Sequence, residues 1–238
     1  VCLVRGEESW LVSRHVIYGD PNLDEGSEGS PWTELTALRR TPVALANGST
    51  VLIEATGIDT GGHNTHAVYS YCRNHERERV LALKGSSEPG KPVLGKPRLM
   101  DVNWRGATLK RGVRLWFVGT DTAKDLIFGR MKNDKVGPGY IHVPKGLAET
   151  DEFEQMTNPC LMPKARKGKT IMAWDCPPGK REEAADCMVY AYAMACYLGI
   201  QTFREPSWAK REERYQPSTH DLFAPPPATP MPLPPVAM

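Results

Sequence analysis

Nowhere in these 238 residues is there a run of about 18 apolar side chains, so no segment reads as a membrane span. The first residues carry no signal-peptide pattern. Net charge is nearly absent: 30 Lys+Arg against 28 Asp+Glu leave +2. That excludes a generic polycation that coats nucleic acid by charge alone, though not a localised basic groove. Among the six cysteines (Cys2, Cys72, Cys160, Cys176, Cys187, Cys196) there is no C-x-x-C pair and no Cys/His group at zinc-finger spacing. They read as reduced thiols of an intracellular protein. No internal repeat is visible. What is present is ordinary globular material, 40% hydrophobic and 24% charged, which excludes a disordered chain, a collagen or a coiled coil. The length suffices for one large domain or two small ones with a real core. Proline is plentiful at 21, and the chain starts at Val1, as expected of a fragment or processed product.

Hydrophobic patterning divides the chain into three parts: a lead-in segment and linker over 1–50, a core domain over 51–200, and an extension over 201–238. In the first part, 8–12 reads as a short strand and 32–38 as an amphipathic turn. In the second, Val51–Asp59 reads as a buried strand. Thr65–Cys72, where Ala67, Tyr69 and Tyr71 alternate with His66, Val68 and Ser70, reads as another, and Arg79–Lys84 as a third. Joined by short turns, they predict an antiparallel three-strand meander. Residues 85–112, rich in Gly, Pro and Lys, read as an irregular loop. Val113–Thr120 is a strong strand, placed beside 51–59, and runs into a helix over 123–132. A short strand at 140–144 follows. A helical turn over 150–156 comes next, with Thr150 as N-cap and Phe153 buried, and then a strand at 170–174. Glu182–Leu198, acidic in its first turn and apolar afterward, predicts a buried helix capped by Gly199. From Ala224 the tail holds seven prolines in its last 14 residues and is expected to be extended.

Asp59 and Asp121 each end an apolar strand, and Asp186 shares a helix face with Val189, Tyr190, Ala193 and Tyr197. Three acids brought together at low dielectric repel one another and raise their pKa values, which a divalent cation relieves. Hard cations prefer oxygen, so Mg²⁺ or Mn²⁺ is the expected ion. Two such ions, about 3.5–4 Å apart, activate water and stabilise a leaving oxygen. Each acid also has a plainer reading: Asp59 as a turn former, Asp121 as an N-cap, Asp186 as a helix-dipole acid. Gly168-Lys169-Thr170 imitates the end of a phosphate-binding loop, but the upstream glycine falls on Pro163 and a strand follows where a helix is required. His63 and His142 are metal-ligand candidates or simply solvated histidines, with His63 near enough to Asp59 to touch substrate.

At this point four blocks in order resemble the nuclease part of lambda-type bacteriophage terminase large subunits. They are Gly57-Ile58-Asp59-Thr60-Gly61-Gly62-His63-Asn64-Thr65 with Val68-Tyr69; Val118 to Lys124; Gly139-Tyr140-Ile141-His142-Val143-Pro144 with Phe153 and Gln155; and Glu182-Glu183-Ala184-Ala185-Asp186-Cys187 with Val189-Tyr190-Ala191. The likeness spans roughly residues 8–200. It departs from the family pattern at Glu182, where the family has Asn, and at Ala185, where it has Leu. The resemblance implies an α/β fold of RNase H-like type, with a mixed sheet flanked by helices. It also implies a metal-dependent endonuclease that cuts concatemeric viral double-stranded DNA during genome packaging. Carried over, Asp59, Asp121 and Asp186 are the catalytic, metal-binding acids, with Glu183 a weaker ligand candidate.

For substrate, the expected contacts are Lys124, His63, Arg130, Lys132, Lys167 and Lys169, since duplex DNA needs a surface that meets its phosphates. The resemblance further implies an upstream packaging ATPase domain absent from this chain, a terminase small subunit and a portal or procapsid as partners, no membrane, and action in the host cytoplasm at the portal. Two alternatives stay open. One is another RNase H-like nuclease or transposase, which shares the acids. The other is a non-catalytic DNA- or portal-binding module, which predicts no metal-dependent nicking.

Overall fold

The computed structural model describes residues 1–148, 151–166 and 168–216. At its centre is a four-stranded sheet in the order β5-β6-β8-β7, made of β5 (Thr56–Asp59), β6 (Val80–Ser86), β7 (Arg98–Trp104) and β8 (Ala107–Gly119). β5 and β6 run parallel, with Asp59 opposite Leu83, and β6 and β8 run parallel, with Ser86 opposite Gly119. β7 is antiparallel to β8. Parallel neighbours need a crossover. Between β5 and β6 it is α2 (Thr65–Asn74), which with α1 (Pro31–Arg40) covers one face. α3 (Thr120–Arg130) and α6 (Glu183–Tyr197) cover the other. Coverage on both faces explains β6: Val80, Leu81, Ala82 and Leu83 are all buried, alternate residues going to opposite layers.

Smaller elements surround this core. β1 (Cys2–Arg5) and β2 (Glu8–Leu11) form a hairpin, and β2 pairs in parallel with β9 (Ile141–His142). β3 (Val43–Ala44) and β4 (Thr50–Val51) make a two-residue ribbon. α4 (Lys145–Ala148) and α5 (Asp151–Thr157) precede a second hairpin, β10 (Cys160–Arg166) and β11 (Lys169–Asp175). α7 (Glu205–Glu213) follows α6, with Trp208 buried against Ala195 and Ile200.

The mixed α/β class is as expected, and so are β2, α1, α3, β11 and α6, with Gly199 left-handed after α6 at φ 70°. A strand rather than a helix does follow Gly168-Lys169. Several local expectations are corrected. Thr65–Cys72 is helix α2, so there is no antiparallel meander at that point. Its buried set is Ala67, Val68, Tyr69, Tyr71 and Cys72, of which Ala67, Val68, Tyr71 and Cys72 follow the helical stripe that the strand alternation obscured. Of Val51–Asp59, only Thr56–Asp59 is strand in the central sheet. Residues 98–112 are not loop but β7 and the first half of β8, joined by a tight Arg105-Gly106 turn with both φ values positive, 49° and 78°. The first half of β8 is exposed and largely polar, and the apolar stripe of β7, Met100, Val102 and Trp104, is short and blurred by the adjacent Leu99. β8 is not beside β5: β6 lies between, which sets the two strands about 9–10 Å apart. Phe153 is 46% exposed, while Met156 and Gln155 on α5 are buried. Thr150 and the proline-rich tail lie outside the described residues. Among the described residues no helix is long and apolar enough to cross a membrane.

Candidate active site

Three elements bring their acids to the same end of the sheet. Asp59 is the last residue of β5, and Asp121 lies in the first turn of α3, just beyond the end of β8. Asp186 lies in the first turn of α6, which packs on both β5 and α3. β5 and β8 are parallel through β6, so their carboxyl ends point the same way, the usual location of sites in open α/β sheets.

Lys124 stands one turn after Asp121 on α3, only 6% exposed, and its ammonium is shared. Nζ lies 2.7 Å from Glu182 Oε2 and 3.3 Å from Asp186 Oδ1. Burial opposes the charge on Lys124, but Glu182 and Asp186 outweigh it and hold its pKa above the ordinary lysine value. The Asp186 carboxyl is nonetheless pushed up. Burial comes first, and the charges of Glu182 and Asp59 add to it against the pull of Lys124. Asp121 is raised by burial and Asp125, and held back by Lys124, Lys164 and Arg166. On the β5 side Tyr190, one turn after Asp186, donates its hydroxyl to Asp59 Oδ1 at 2.9 Å. Burial and the nearby charges of Asp59 and Asp186 push the Tyr190 phenol up, so it stays a donor.

The β10–β11 hairpin lies against α3 beside Asp121. Trp174 donates to Asp125 Oδ1 at 2.7 Å and stacks on Phe128 of α3, ring centres 4.4 Å apart. Lys164 bridges to Asp175 at 2.9 Å, and Arg166 donates to the Ser87 carbonyl at 3.0 Å. Lys164, Arg166 and Lys169 fall on one face of the hairpin, because Lys164 pairs with Ile171 and Arg166 with Lys169.

The expected site residues are thus distributed unevenly. Asp59, Asp121, Asp186 and Lys124 lie at one end of the sheet and are linked pairwise, Lys124 to Asp121 and Asp186, and Asp186 to Asp59. Glu183, beside Glu182, is exposed and bonded to Arg181. His63 is exposed in the turn after β5. Arg130 sits at the far end of α3 with its guanidinium 5.3 Å over the Tyr192 ring, and Lys132 is exposed just beyond it. Lys167 lies outside the described residues. His142 is held by Glu8 at 2.7 Å and stacked on Trp10. Tyr190 and Glu182 were not assigned roles from the sequence. Tyr190's place on the Asp186 face was the available signal, but its partner is 131 residues away.

Among the described residues no three His, Cys, Asp or Glu side chains stand close enough to share one ion. The donor chemistry nevertheless suits a hard divalent cation: the acids offer carboxylate oxygens, and burial, with Glu182 and Asp59 near, disfavours the charged form of Asp186, a cost that a bound cation would relieve.

Residues 3–208 match the family described as terminase large subunit gpA, endonuclease domain. The terminase large subunit of Enterobacteria phage P21 is 32% identical over 237 residues, covering 92% of this chain and 34% of that protein. The terminase large subunit of Escherichia phage lambda is 34% identical over 194 residues, covering 79% and 28%. The chain therefore spans about a third of the length of these relatives. No solved structure matches.

Proposed function

Because the chain belongs to the endonuclease-domain family of the terminase large subunit gpA, we propose that it is the metal-dependent nuclease that cuts concatemeric viral double-stranded DNA into genome lengths during packaging. The observation that carries this reading is the placement of Asp59, Asp121 and Asp186 at one end of the sheet, where Lys124 is buried against Glu182 and Asp186. Asp59, Asp121 and Asp186 would hold Mg²⁺ or Mn²⁺. A divalent ion there supplies Lewis-acid stabilisation of phosphate charge and a more acidic water.

The chain's own residues divide the remaining work. Lys124 holds Glu182 and Asp186 in place, a role its burial favours over direct contact with phosphate. Glu182 in turn keeps Lys124 charged. The basic face of the β10–β11 hairpin, with Lys164, Arg166 and Lys169, lies beside Asp121 and suits the phosphates flanking the cut. Arg130 and Lys132 extend that surface along α3. By the same family relation, the upstream packaging ATPase domain, a small subunit and a portal are the partners, and the host cytoplasm is the place of action.

Supercoiled plasmid incubated with the chain and Mn²⁺ tests this. Nicking that EDTA stops, and that Asp59→Ala or Asp186→Ala abolishes, is expected. Variants that nick as fast as the wild type would show the site to be elsewhere.

A further inference from the structure

Asp59 is tied to the helix that carries Asp186 by a side chain that the nuclease reading does not use. Tyr190 follows Asp186 by one turn on the same face of α6, and its hydroxyl donates to Asp59 Oδ1 at 2.9 Å. No other donor reaches the Asp59 carboxylate among the described residues, so Oδ2 is left open. The sheet is shaped to admit the phenol. Gly85 on β6 lies against it: a Cβ there would stand 3.3 Å from Tyr190 Oη and 3.0 Å from Thr120 Cγ2. At the tip of β5, a Cβ on Gly61 would stand 3.1 Å from Asp59 Oδ2. Larger residues at either glycine would therefore press on the Tyr190–Asp59 contact or on the free oxygen.

Resting on the nuclease reading above, we infer that Tyr190 is a positioning residue for Asp59. Its hydroxyl fixes the rotamer of the carboxylate, occupies Oδ1 and turns Oδ2 toward the divalent-ion site. A lone strand-end aspartate has a freely turning carboxylate. Tying it to the helix that carries Asp186 makes the separation of the two acids a property of one packed unit, α6 on β5. Hydrogen-bond partners of this kind orient the carboxylates that hold metals, and losing them weakens the metal rather than the fold.

The test uses the 238-residue chain in five forms: wild type, Tyr190→Phe, Gly85→Ala, the double variant of these two, and Asp59→Ala. Mn²⁺ binding is followed by electron paramagnetic resonance without DNA, beside thermal unfolding and plasmid nicking. Tyr190→Phe keeps the ring and its packing. It is expected to unfold near the wild-type temperature, to bind Mn²⁺ roughly 10- to 100-fold more weakly, and to regain nicking rate as Mn²⁺ is raised, with DNA affinity unchanged. Gly85→Ala should weaken Mn²⁺ binding too, and add little when combined with Tyr190→Phe. If Tyr190→Phe binds Mn²⁺ and nicks like the wild type while Asp59→Ala has lost both, the positioning role is overturned and the nuclease reading stands. If Asp59→Ala keeps both, the nuclease reading and the positioning role fall together.

Discussion

The ammonium of Lys124 lies 2.7 Å from Glu182 Oε2, a contact between residues 58 apart in sequence, with only 8% of the lysine side chain exposed. The same nitrogen reaches Asp186 at 3.3 Å, so one buried cation organises the acidic end of α6. Removing it strands two carboxylates. Lys124→Met is therefore expected to lower unfolding stability by about 1–3 kcal/mol, less than for a fully buried pair because both acids keep some solvent. Mn²⁺ should raise the melting temperature of this variant more than that of the wild type. Chemical denaturation checks the first and thermal unfolding with and without Mn²⁺ the second; unchanged midpoints in both would remove Lys124 from this role.

The hairpin face beside Asp121 makes a second expectation. Lys169 is exposed and shares that face with Arg166. If it meets a phosphate, Lys169→Ala should weaken duplex binding for every sequence alike. It should also reduce the slope of log affinity against log salt by about 1. Fluorescence anisotropy across a salt series measures this, and an unaltered slope would place the DNA elsewhere.

α5 offers a test of packing. Met156 is 1% exposed and Phe153 46%, the reverse of what the sequence suggested for Phe153. Met156→Ala should cost about 2–5 kcal/mol, and Phe153→Ala under about 1 kcal/mol. Equal losses in urea unfolding would contradict the arrangement.

Which features could be read in advance follows from the range of the interactions. Asp59, Asp121 and Asp186 stood out because each closes an apolar run or interrupts one, a signal local to about ten residues. Sheet order is not local: nothing in Val80–Ser86 says that it inserts between the strands ending at Asp59 and Gly119. Thr65–Cys72 satisfies both a period of two and a helical stripe, and only the need for a crossover between parallel β5 and β6 decides for the helix. β7 does carry a stripe of period two, Met100, Val102 and Trp104, packed on the α2 side of the sheet, but Leu99 blurs it and a Gly-, Pro- and Lys-rich stretch precedes it; the outer half of β8 is exposed and held by ladder hydrogen bonds and pairs such as Lys110–Asp101. The site's second layer, Glu182 on Lys124 and Tyr190 on Asp59, depends on side chains 58 and 131 residues apart. Local patterning places Tyr190 on the Asp186 face but names neither its partner nor that of Glu182.

Acid should loosen the layer that α1 forms on the sheet. Glu78 accepts from Arg40 at 2.9 Å and Arg39 at 3.0 Å and lies 3.1 Å from His75. Hydrogen bonds from Arg40 and His75, then the charge of Arg39, hold its carboxyl down at about 2. A depressed carboxylate contributes stability above its unfolded pKa, and that contribution is lost as pH falls through the folded value. The loss should fall between about pH 4.5 and pH 2. Glu78 is 39% exposed, so solvent screening limits the effect to about 1 kcal/mol. Glu78→Gln should flatten the melting-temperature profile in that window, and an identical profile would contradict the assignment.

The measurement that bears most directly on the acids as one metal centre is anomalous diffraction from crystals of the chain soaked in Mn²⁺. The expected result is density at the carboxyl end of β5, with oxygens of Asp59 and Asp186 at about 2.0–2.2 Å from the ion, close to the distances hard divalent cations adopt. Asp121 should be at this ion or at a second one beside it. Mn²⁺ bound away from Asp59 and Asp186, with both carboxylates unoccupied at saturating metal, would contradict the assignment of this site.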